Sequence, residues 1–374
     1  MMNSSKIRGV FYAVNGLGLG HLTRLLSIAL ELKKISNQNF EPFFFTTSEA
    51  AHILNAYNIP FIQLPSKPLA QRSGQFSFGK WARLVNSIFH AGFESIKPHA
   101  LIVDTFPIGT ARELEHILRY SSTFKVFIHR ASKLDSYSRE AIEAQRLYDL
   151  IIAPHHQDSV LIPTPQNFET EVFYSGPIFL TQKEDILSKL EAQKLLKLDS
   201  NSISSPKIYL TFGGGGDATA QITSQKITQL LDKHFTNAEI TIGMGPLHLF
   251  KINASKYKEI SIFPVAPYLK AFDFAIASSG YNTFHELLFA GIPTIFIPRN
   301  RGLDDQLARC QKATEQDAAL FINEDDADFE QNFPNYLDKM KSDSFRQNLT
   351  HKAQEIIPEN CTNKASKRIW DYFM

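Results

Sequence analysis

The chain has little cysteine, almost no net charge and no long apolar run. Its 374 residues include only two cysteines, Cys310 and Cys361, which excludes a disulfide framework and favours a reducing compartment. A net charge of +1 supplies no overall field to attract nucleic acid, so a nucleic-acid partner is not expected. No apolar run reaches the ~18 residues of a membrane-spanning helix, and the first run, 7–14, is too short for a signal peptide. We therefore expect a cytoplasmic protein.

The sequence also lacks the residues that are typical of three kinds of site. No Lys-Ser or Lys-Thr follows the four glycines at 213–216, so they are not a P-loop. The adjacent pair His155 and His156 has no third ligand at a suitable spacing, which favours a structural role over a metal site. A nicotinamide site needs an acid at the end of the second strand, near Thr47, but Glu49 already lies past it. We expect neither a metal nor a cofactor.

Short apolar runs alternate with helical periodicities along the whole chain, and this pattern predicts an α/β protein with parallel sheets. The predicted strands are 7–14, 42–47, 101–104, 126–128, 150–153, 207–212, 239–242, 259–263, 274–278, 294–298 and 319–322. The predicted helices are 22–35, 80–95, 109–119, 137–147, 219–233, 283–290, 303–314, 326–340 and 344–373, the last with breaks.

The pattern restarts after a polar run at 199–205, so two Rossmann-like domains are expected to face one another across a cleft. The predicted N-terminal domain is 1–178 and the C-terminal domain is 179–355, with the link somewhere in 173–182. A final helix, 356–374, is expected to return to the N-terminal domain.

A glycine-rich turn follows the first strand, with Gly18, Gly20 and His21 at its end. Glycines there allow a ligand to approach the backbone, and the following helix offers free N–H groups. A histidine above a parallel sheet is a candidate general base, as is Asp104 at the end of another strand. The alternative is a tight turn without a ligand. His129 and Arg130 end a further strand and are additional pocket candidates.

The most informative segment runs from residue 273 to residue 306. A strand ends in Ser278, Ser279 and Gly280, and a helix follows that Gly291 closes. Hydroxyls and free N–H groups at the start of a helix suit a diphosphate. Glu286, about one turn into this helix, has two oxygens to accept from the two hydroxyls of a ribose. The alternative makes Glu286 a solvated helix residue and Ser279 an N-cap.

This segment resembles the donor-binding region of inverting GT-B glycosyltransferases, most of all the family of the bacterial lipid-linked N-acetylglucosaminyltransferase. The matching residues are Ser279-Gly280-Tyr281-Asn282-Thr283-Phe284-His285-Glu286, Ala290-Gly291-Ile292-Pro293 and the pair Asp305-Gln306. The family usually has two glutamines at that pair. Gly18-Leu19-Gly20-His21 and the glycines at 213–216 match its two glycine-rich loops.

The resemblance implies a metal-independent, inverting transfer of a sugar from a nucleoside diphosphate sugar, with uridine as the expected nucleoside. It places the diphosphate near Gly214, Gly215 and Ser279, the base near Phe263 and Val265, and the ribose on Glu286. Gly280 and Thr283 belong to the same donor motif, and Asp305 and Gln306 are expected to bond sugar hydroxyls. His21 would lie near the acceptor hydroxyl, and the acceptor itself is not identified.

Two alternatives stay open. Gly18-Leu19-Gly20-His21-Leu22-Thr23-Arg24 also resembles the nucleotide-sugar hydrolase of pseudaminic acid synthesis, in which water is the acceptor. A non-catalytic sugar-nucleotide-binding protein would share the donor residues. In addition, the stretch 67–90 mixes basic and aromatic residues. It is either a peripheral contact to lipid headgroups at the inner face of a membrane or an amphipathic helix packed on the sheet.

Overall fold

The computed structural model describes residues 6–14, 18–133, 138–159, 162–199, 205–213, 219–247, 256–300 and 303–374. It divides into two compact units. Unit 1 is Met1–Leu180 with Cys361–Met374, and unit 2 is Thr181–Asn360. The predicted domain boundaries, after residues 178 and 355, lie a few residues before the observed ones. The second differs because the helix Asp343–Ile356 continues past residue 355.

Unit 1 contains a seven-stranded parallel sheet in the order β3-β2-β1-β4-β5-β6-β7. The strands β1 to β7 are Ile7–Ala13, Phe40–Thr46, Phe61–Gln63, Ala100–Asp104, Phe124–Ile128, Leu150–Ala153 and Glu171–Tyr174. The central strands are apolar because helices cover both faces of a parallel sheet. The two edge strands, β3 and β7, were not predicted from the sequence, since they are short and only partly buried.

The helices of unit 1 cover this sheet. The α-helices α1 to α5 are Gly20–Ile35, Lys67–Ser73, Phe78–Ile96, Glu115–Tyr120 and Arg139–Glu143, and 3-10 helices span Ala51–Tyr57 and Ala144–Leu147. The helix α3 buries Trp81, Val85, Phe89 and Phe93 on one face, as expected for an amphipathic helix packed on the sheet. Phe76, just before this helix, and Phe78, its first residue, are exposed.

The C-terminal segment Thr362–Trp370 is a helix of unit 1 and packs on α1. The hydroxyls of Ser27 and Thr362 lie 2.8 Å apart, and the Asn363 amide donates to Glu31 at 2.5 Å. The first contact is buried and the second is partly buried, and together they hold the end of the chain against the first helix.

The predicted helix 109–119 is wrong in its first half. The chain there forms a loop, and helix begins only at Glu115. Gly109 and Arg112 have φ angles of +79° and +58°, which are incompatible with a right-handed helix. The buried carboxylate of Glu113 holds the loop by accepting from the N–H groups of Thr110 and Ala111, and it also contacts the Tyr12 hydroxyl. This tertiary contact outweighs the local helical preference.

Unit 2 contains a six-stranded parallel sheet in the order β10-β9-β8-β11-β12-β13. The strands β8 to β13 are Lys207–Thr211, Glu239–Gly243, Lys258–Ile260, Phe274–Ala277, Thr294–Phe296 and Leu320–Phe321. The α-helices α6 to α11 are Lys189–Leu195, Thr219–His234, Tyr281–Ala290, Gln306–Glu315, Phe329–Met340 and Asp343–Ile356. The C-terminal helix Thr362–Trp370 is α12. As predicted, Gly291 closes α8 in the left-handed conformation.

No helix in the described ranges has the length and apolarity needed to cross a bilayer.

Candidate active site

The carboxyl ends of three neighbouring strands of unit 1 carry polar residues. In the sheet, β1, β4 and β5 lie side by side, and they lead into the turn before His21, into Asp104 and into His129 with Arg130. Parallel strands end at the same edge, so these residues come together although the chain separates them widely.

Asp104 is the centre of this group. Its carboxylate is fully buried and accepts two bonds of 2.8 Å from the Arg24 guanidinium, one to each oxygen. It also contacts Nδ1 of His21 at 2.7 Å and accepts from the Thr105 hydroxyl at 2.6 Å. Burial alone would raise the pKa of Asp104, but the charge of Arg24 and the bonds from His21 and Arg24 hold it well below its usual range.

His21 remains partly accessible, with 19% of its side chain exposed. Burial lowers its pKa, and the charges of Arg24 and Arg130 oppose the raising effect of Asp104, so the net pKa lies below the ordinary value. The imidazole is therefore neutral at pH 7. Since Nδ1 faces an ionised carboxylate, the proton belongs on Nδ1, which leaves the lone pair of Nε2 to accept a proton.

The turn before His21 leaves room for a ligand. Gly18 has a φ of +100°, and a Cβ added at Gly18 or at Gly20 would meet no atom within 4 Å. The Phe106 ring packs edge-on against the His21 ring at 5.9 Å between centroids. Thr105, beside Asp104, has a φ of +64°, an unusual conformation for a β-branched residue that often marks a functional site.

In unit 2, the turn after β11 leads into α8, as the donor motif requires. Gly280 is the N-cap of the helix. Ser279 is not an N-cap, because its fully buried hydroxyl donates to the backbone oxygen of Gln306 at 3.3 Å. The first amides of an α-helix have no partner within the helix, and the N-terminus of a helix is a common position for a bound anion.

Glu286 and Thr283 lie one turn apart on the same face of α8. Within the described part of the chain, neither side chain has a hydrogen-bond or ion-pair partner, although both are partly buried. Burial raises the pKa of Glu286 to about 8. Glu286 is partly buried and not a fully solvated helix residue. An unpaired, desolvated carboxylate is costly without a partner and is typical of a binding site.

Gln306 and Asp305 are engaged in holding the loop after β12. The side-chain oxygen of Gln306 accepts from the Arg299 N–H at 3.0 Å, and its amide nitrogen donates to Asp304 at 3.1 Å. Asp305 caps α9 by accepting from the Ala308 N–H at 3.1 Å. The structure therefore gives both predicted sugar-binding side chains bonds within the protein.

Two arginines of unit 2 that the sequence analysis left unassigned complete this arrangement. Arg309 is partly buried, donates to the Ser279 carbonyl at 2.5 Å and pairs with Asp304 at 2.7 Å. Arg299 donates to Thr223 at 2.8 Å and to Glu324 at 2.5 Å. These contacts join the segments that follow β11, β12 and β13 to one another and to α7. No sequence pattern reveals such pairs. The only signal is the position of Arg299, directly after the apolar run 294–298.

Of the residues predicted to lie near the base and the diphosphate, the structure describes only some. Phe263 and Val265 lie just after β10, partly buried, on either side of Pro264 and next to the 3-10 helix Ala266–Ala271. Gly214 and Gly215 lie outside the described residues.

Across the ranges that are described, no group of three or more His, Cys, Asp or Glu side chains is arranged to hold a metal ion. His155 instead accepts from the Ala131 N–H at 2.8 Å.

Residues 210–368 match the family described as glycosyltransferase family 28 C-terminal domain. The chain is 24% identical over 347 residues to a UDP-N-acetylglucosamine–N-acetylmuramyl-(pentapeptide) pyrophosphoryl-undecaprenol N-acetylglucosamine transferase from Thermosipho melanesiensis. That similarity covers 89% of this chain and 91% of the relative.

Solved structures extend the similarity to both units. Acinetobacter baumannii MurG has a TM-score of 0.63 at 14% identity, covering 98% of this chain and 99% of the other. The spinosyn forosaminyltransferase SpnP has a TM-score of 0.65 at 12% identity, with coverages of 98% and 99%. The chain therefore has the GT-B fold, and its residues 210–368 match the glycosyltransferase family 28 C-terminal domain.

Proposed function

We propose that this protein transfers a sugar from a uridine diphosphate sugar to an acceptor hydroxyl, with inversion at the anomeric carbon and without a metal. The observation that carries the proposal is Glu286, whose partly buried carboxylate has no hydrogen-bond or ion-pair partner among the described residues. Two vicinal ribose hydroxyls would satisfy both of its oxygens. The similarity to a relative whose name includes a UDP-sugar donor supports the choice of uridine.

Unit 2 would hold the donor. The amides that begin α8 face the diphosphate, and the positive end of the helix dipole stabilises the negative charge that grows on the leaving group. Phe263 and Val265 would border the base. The contacts of Arg309 and Gln306 keep the Ser279–Gly280 turn in place, so these two residues position the amides.

Unit 1 would supply the base. As the acceptor oxygen forms its bond to the anomeric carbon, the bond from that carbon to the diphosphate oxygen breaks, and Nε2 of His21 takes the hydroxyl proton. Asp104 is too deeply buried and too fully bonded to reach a substrate. Its role is to hold the His21 proton on Nδ1 and to stabilise the imidazolium that forms, with Arg24 keeping Asp104 ionised.

The first test is a thermal-shift screen with UDP, UDP-sugars and thymidine diphosphate, because a ligand of the native state raises its melting temperature. We expect UDP and at least one UDP-sugar to stabilise the wild-type protein and not the Glu286→Gln variant. An unchanged response in Glu286→Gln would refute the ribose assignment.

The second test measures sugar transfer and free-sugar release. His21→Asn should keep donor binding and lose about 10²- to 10⁴-fold in turnover, whereas His52→Asn, an exposed histidine of the same unit, should change neither. Rapid release of free sugar in buffer would identify a hydrolase instead. Tight binding without turnover on any acceptor would identify a non-catalytic binder.

A further inference from the structure

Thr105 follows Asp104 in a strained turn at the end of β4. Its N–H donates to the Ile128 oxygen of β5 at 3.1 Å, and the next N–H, of Phe106, donates back to the Asp104 oxygen at 2.8 Å. This bond between residues two positions apart, with a φ of +64° at Thr105, makes a γ-turn of the rare kind. A β-branched residue disfavours that conformation, so its presence here points to a function of the side chain.

The Thr105 side chain adds a further hydrogen bond to the Asp104 carboxylate. Its hydroxyl lies 2.6 Å from Oδ1, the same oxygen that contacts Nδ1 of His21 at 2.7 Å. Arg24 donates to both carboxylate oxygens at 2.8 Å. Because an ionised carboxylate can only accept, the Thr105 hydroxyl is the donor, and it shares Oδ1 with the imidazole. The two groups therefore compete for the charge of that oxygen.

The residues after Thr105 also contact the candidate base and are held in place. The Phe106 ring packs edge-on against the His21 ring at 5.9 Å between centroids. The oxygen of Pro107, one residue further, accepts from the buried Tyr148 hydroxyl at 2.5 Å. The backbone is thus held on both sides of Thr105, which keeps its hydroxyl within reach of the carboxylate.

We infer that Thr105 is a positioning residue for the proposed transfer: its hydroxyl fixes the Asp104 carboxylate against His21 and draws off part of its negative charge. This inference rests on the proposed function and concerns how the base is kept ready. With the hydroxyl in place, Asp104 orients the imidazole without stabilising the imidazolium so strongly that His21 is protonated before the acceptor arrives. Thr105 acts through Asp104 and takes no proton itself.

The charged groups around His21 stay the same when this hydroxyl is removed. Within the described chain, Asp104 raises the pKa of His21, whereas Arg24 and Arg130 lower it. His129, at the end of the neighbouring strand, adds no charge, because burial lowers its pKa to about 4. A change in the pKa of His21 on loss of the hydroxyl would therefore report the hydrogen bond to the carboxylate.

The test removes the hydroxyl and follows His21 by NMR. Thr105→Val keeps the shape and the β-branching of the side chain, and Thr105→Gly suits the positive φ and guards against a folding defect. The Hε1–Cε1 signal of His21, identified by its loss in His21→Asn, is titrated against pH. In both variants the pKa of His21 should rise by about 0.5–1, because Asp104 then holds the imidazolium more strongly. Thr105→Ser keeps the hydroxyl and should restore the wild-type value.

Turnover should change in the same direction. At a pH below the pKa of His21, that shift leaves about 3- to 10-fold less neutral imidazole, so kcat there should fall by this factor in Thr105→Val. The acidic limb of the pH profile should move to higher pH, and the KM for the donor should not change. Thr170→Val is the matched control, because the Thr170 hydroxyl is also partly buried and donates to the Tyr148 oxygen at 3.2 Å. It should leave both the pKa and kcat at their wild-type values.

Two results would overturn the inference. One is a pKa of His21 that is the same in the wild type, Thr105→Val and Thr105→Gly, which would make Thr105 a structural residue only. The other is a Thr105→Ser variant that behaves like Thr105→Val. UDP binding is measured separately by thermal shift and should be the same in the wild type and Thr105→Val. Intact UDP binding with an unchanged pKa defeats only this inference, whereas absent UDP binding in the wild type defeats the proposed function.

Discussion

Glu286 should make the unliganded protein less stable as the pH rises, and Glu286→Gln should remove that loss. The folded protein holds the carboxyl proton up to about pH 8, whereas the unfolded chain releases it near 4.5. Between these values the unfolded state binds fewer protons, so the free energy of unfolding falls as the pH increases. Because glutamine does not titrate, the free energy of unfolding of the variant does not fall in this way.

The size of the effect follows from the two pKa values. The change from 4.5 to about 8 corresponds to at most ~5 kcal/mol, at ~1.4 kcal/mol for each pKa unit. Because Glu286 is partly accessible to water, we take about half of this, or ~2 kcal/mol. In a unit of this size, that difference raises the melting temperature by about 4–8 °C.

Differential scanning fluorimetry between pH 5 and pH 9 checks this directly. The difference in melting temperature between Glu286→Gln and the wild type should be smallest at pH 5, increase in favour of the variant up to pH 8 and then level off. Glu184→Gln, an exposed glutamate of the same unit, should show no such trend. A variant that is equally stable or less stable at pH 8 would refute the reasoning, because Glu286 would then be a structural residue.

Three further predictions concern the other positions of the candidate site. Asp104→Asn should lower stability by about 3–5 kcal/mol by leaving the buried Arg24 without its counter-charge, and should reduce turnover more than donor affinity; thermal melts and kcat measurements check both. Arg309→Met should weaken UDP binding while leaving the pKa of His21, followed by NMR, unchanged, since it acts through the Ser279 turn. Turnover should survive EDTA, and restoration by added Mg²⁺ after EDTA would contradict metal independence.

Local patterns in the sequence were sufficient for most of the fold. The apolar runs that became β1, β4, β8 and β11 are visible because strands buried on both faces need continuous hydrophobicity. The segment after Asp104 was not predictable in the same way. Its helical periodicity is real, but the buried Glu113 carboxylate and the left-handed Gly109 hold the backbone in a loop.

The candidate site, too, could be predicted from the sequence only in part. The sequence placed His21, Asp104 and Glu286 at strand ends or on the following helix, and its resemblance to a family suggested their chemistry. It could not show that Arg24 pairs with Asp104, 80 positions away, or that Gln306 is engaged with the Arg299 backbone.

The sequence by itself therefore determined the alternation of strands and helices, the glycine turns and the positions where chemistry is concentrated, because these depend on neighbours along the chain. Only the tertiary structure decided which residue is left to act. The order of the strands brings Arg24 and His21 onto Asp104, so the carboxylate is fully occupied and the imidazole keeps a lone pair. On α8, packing partly removes water from Glu286 without supplying a hydrogen-bond or ion-pair partner from the described residues, and we propose that a ligand takes that place.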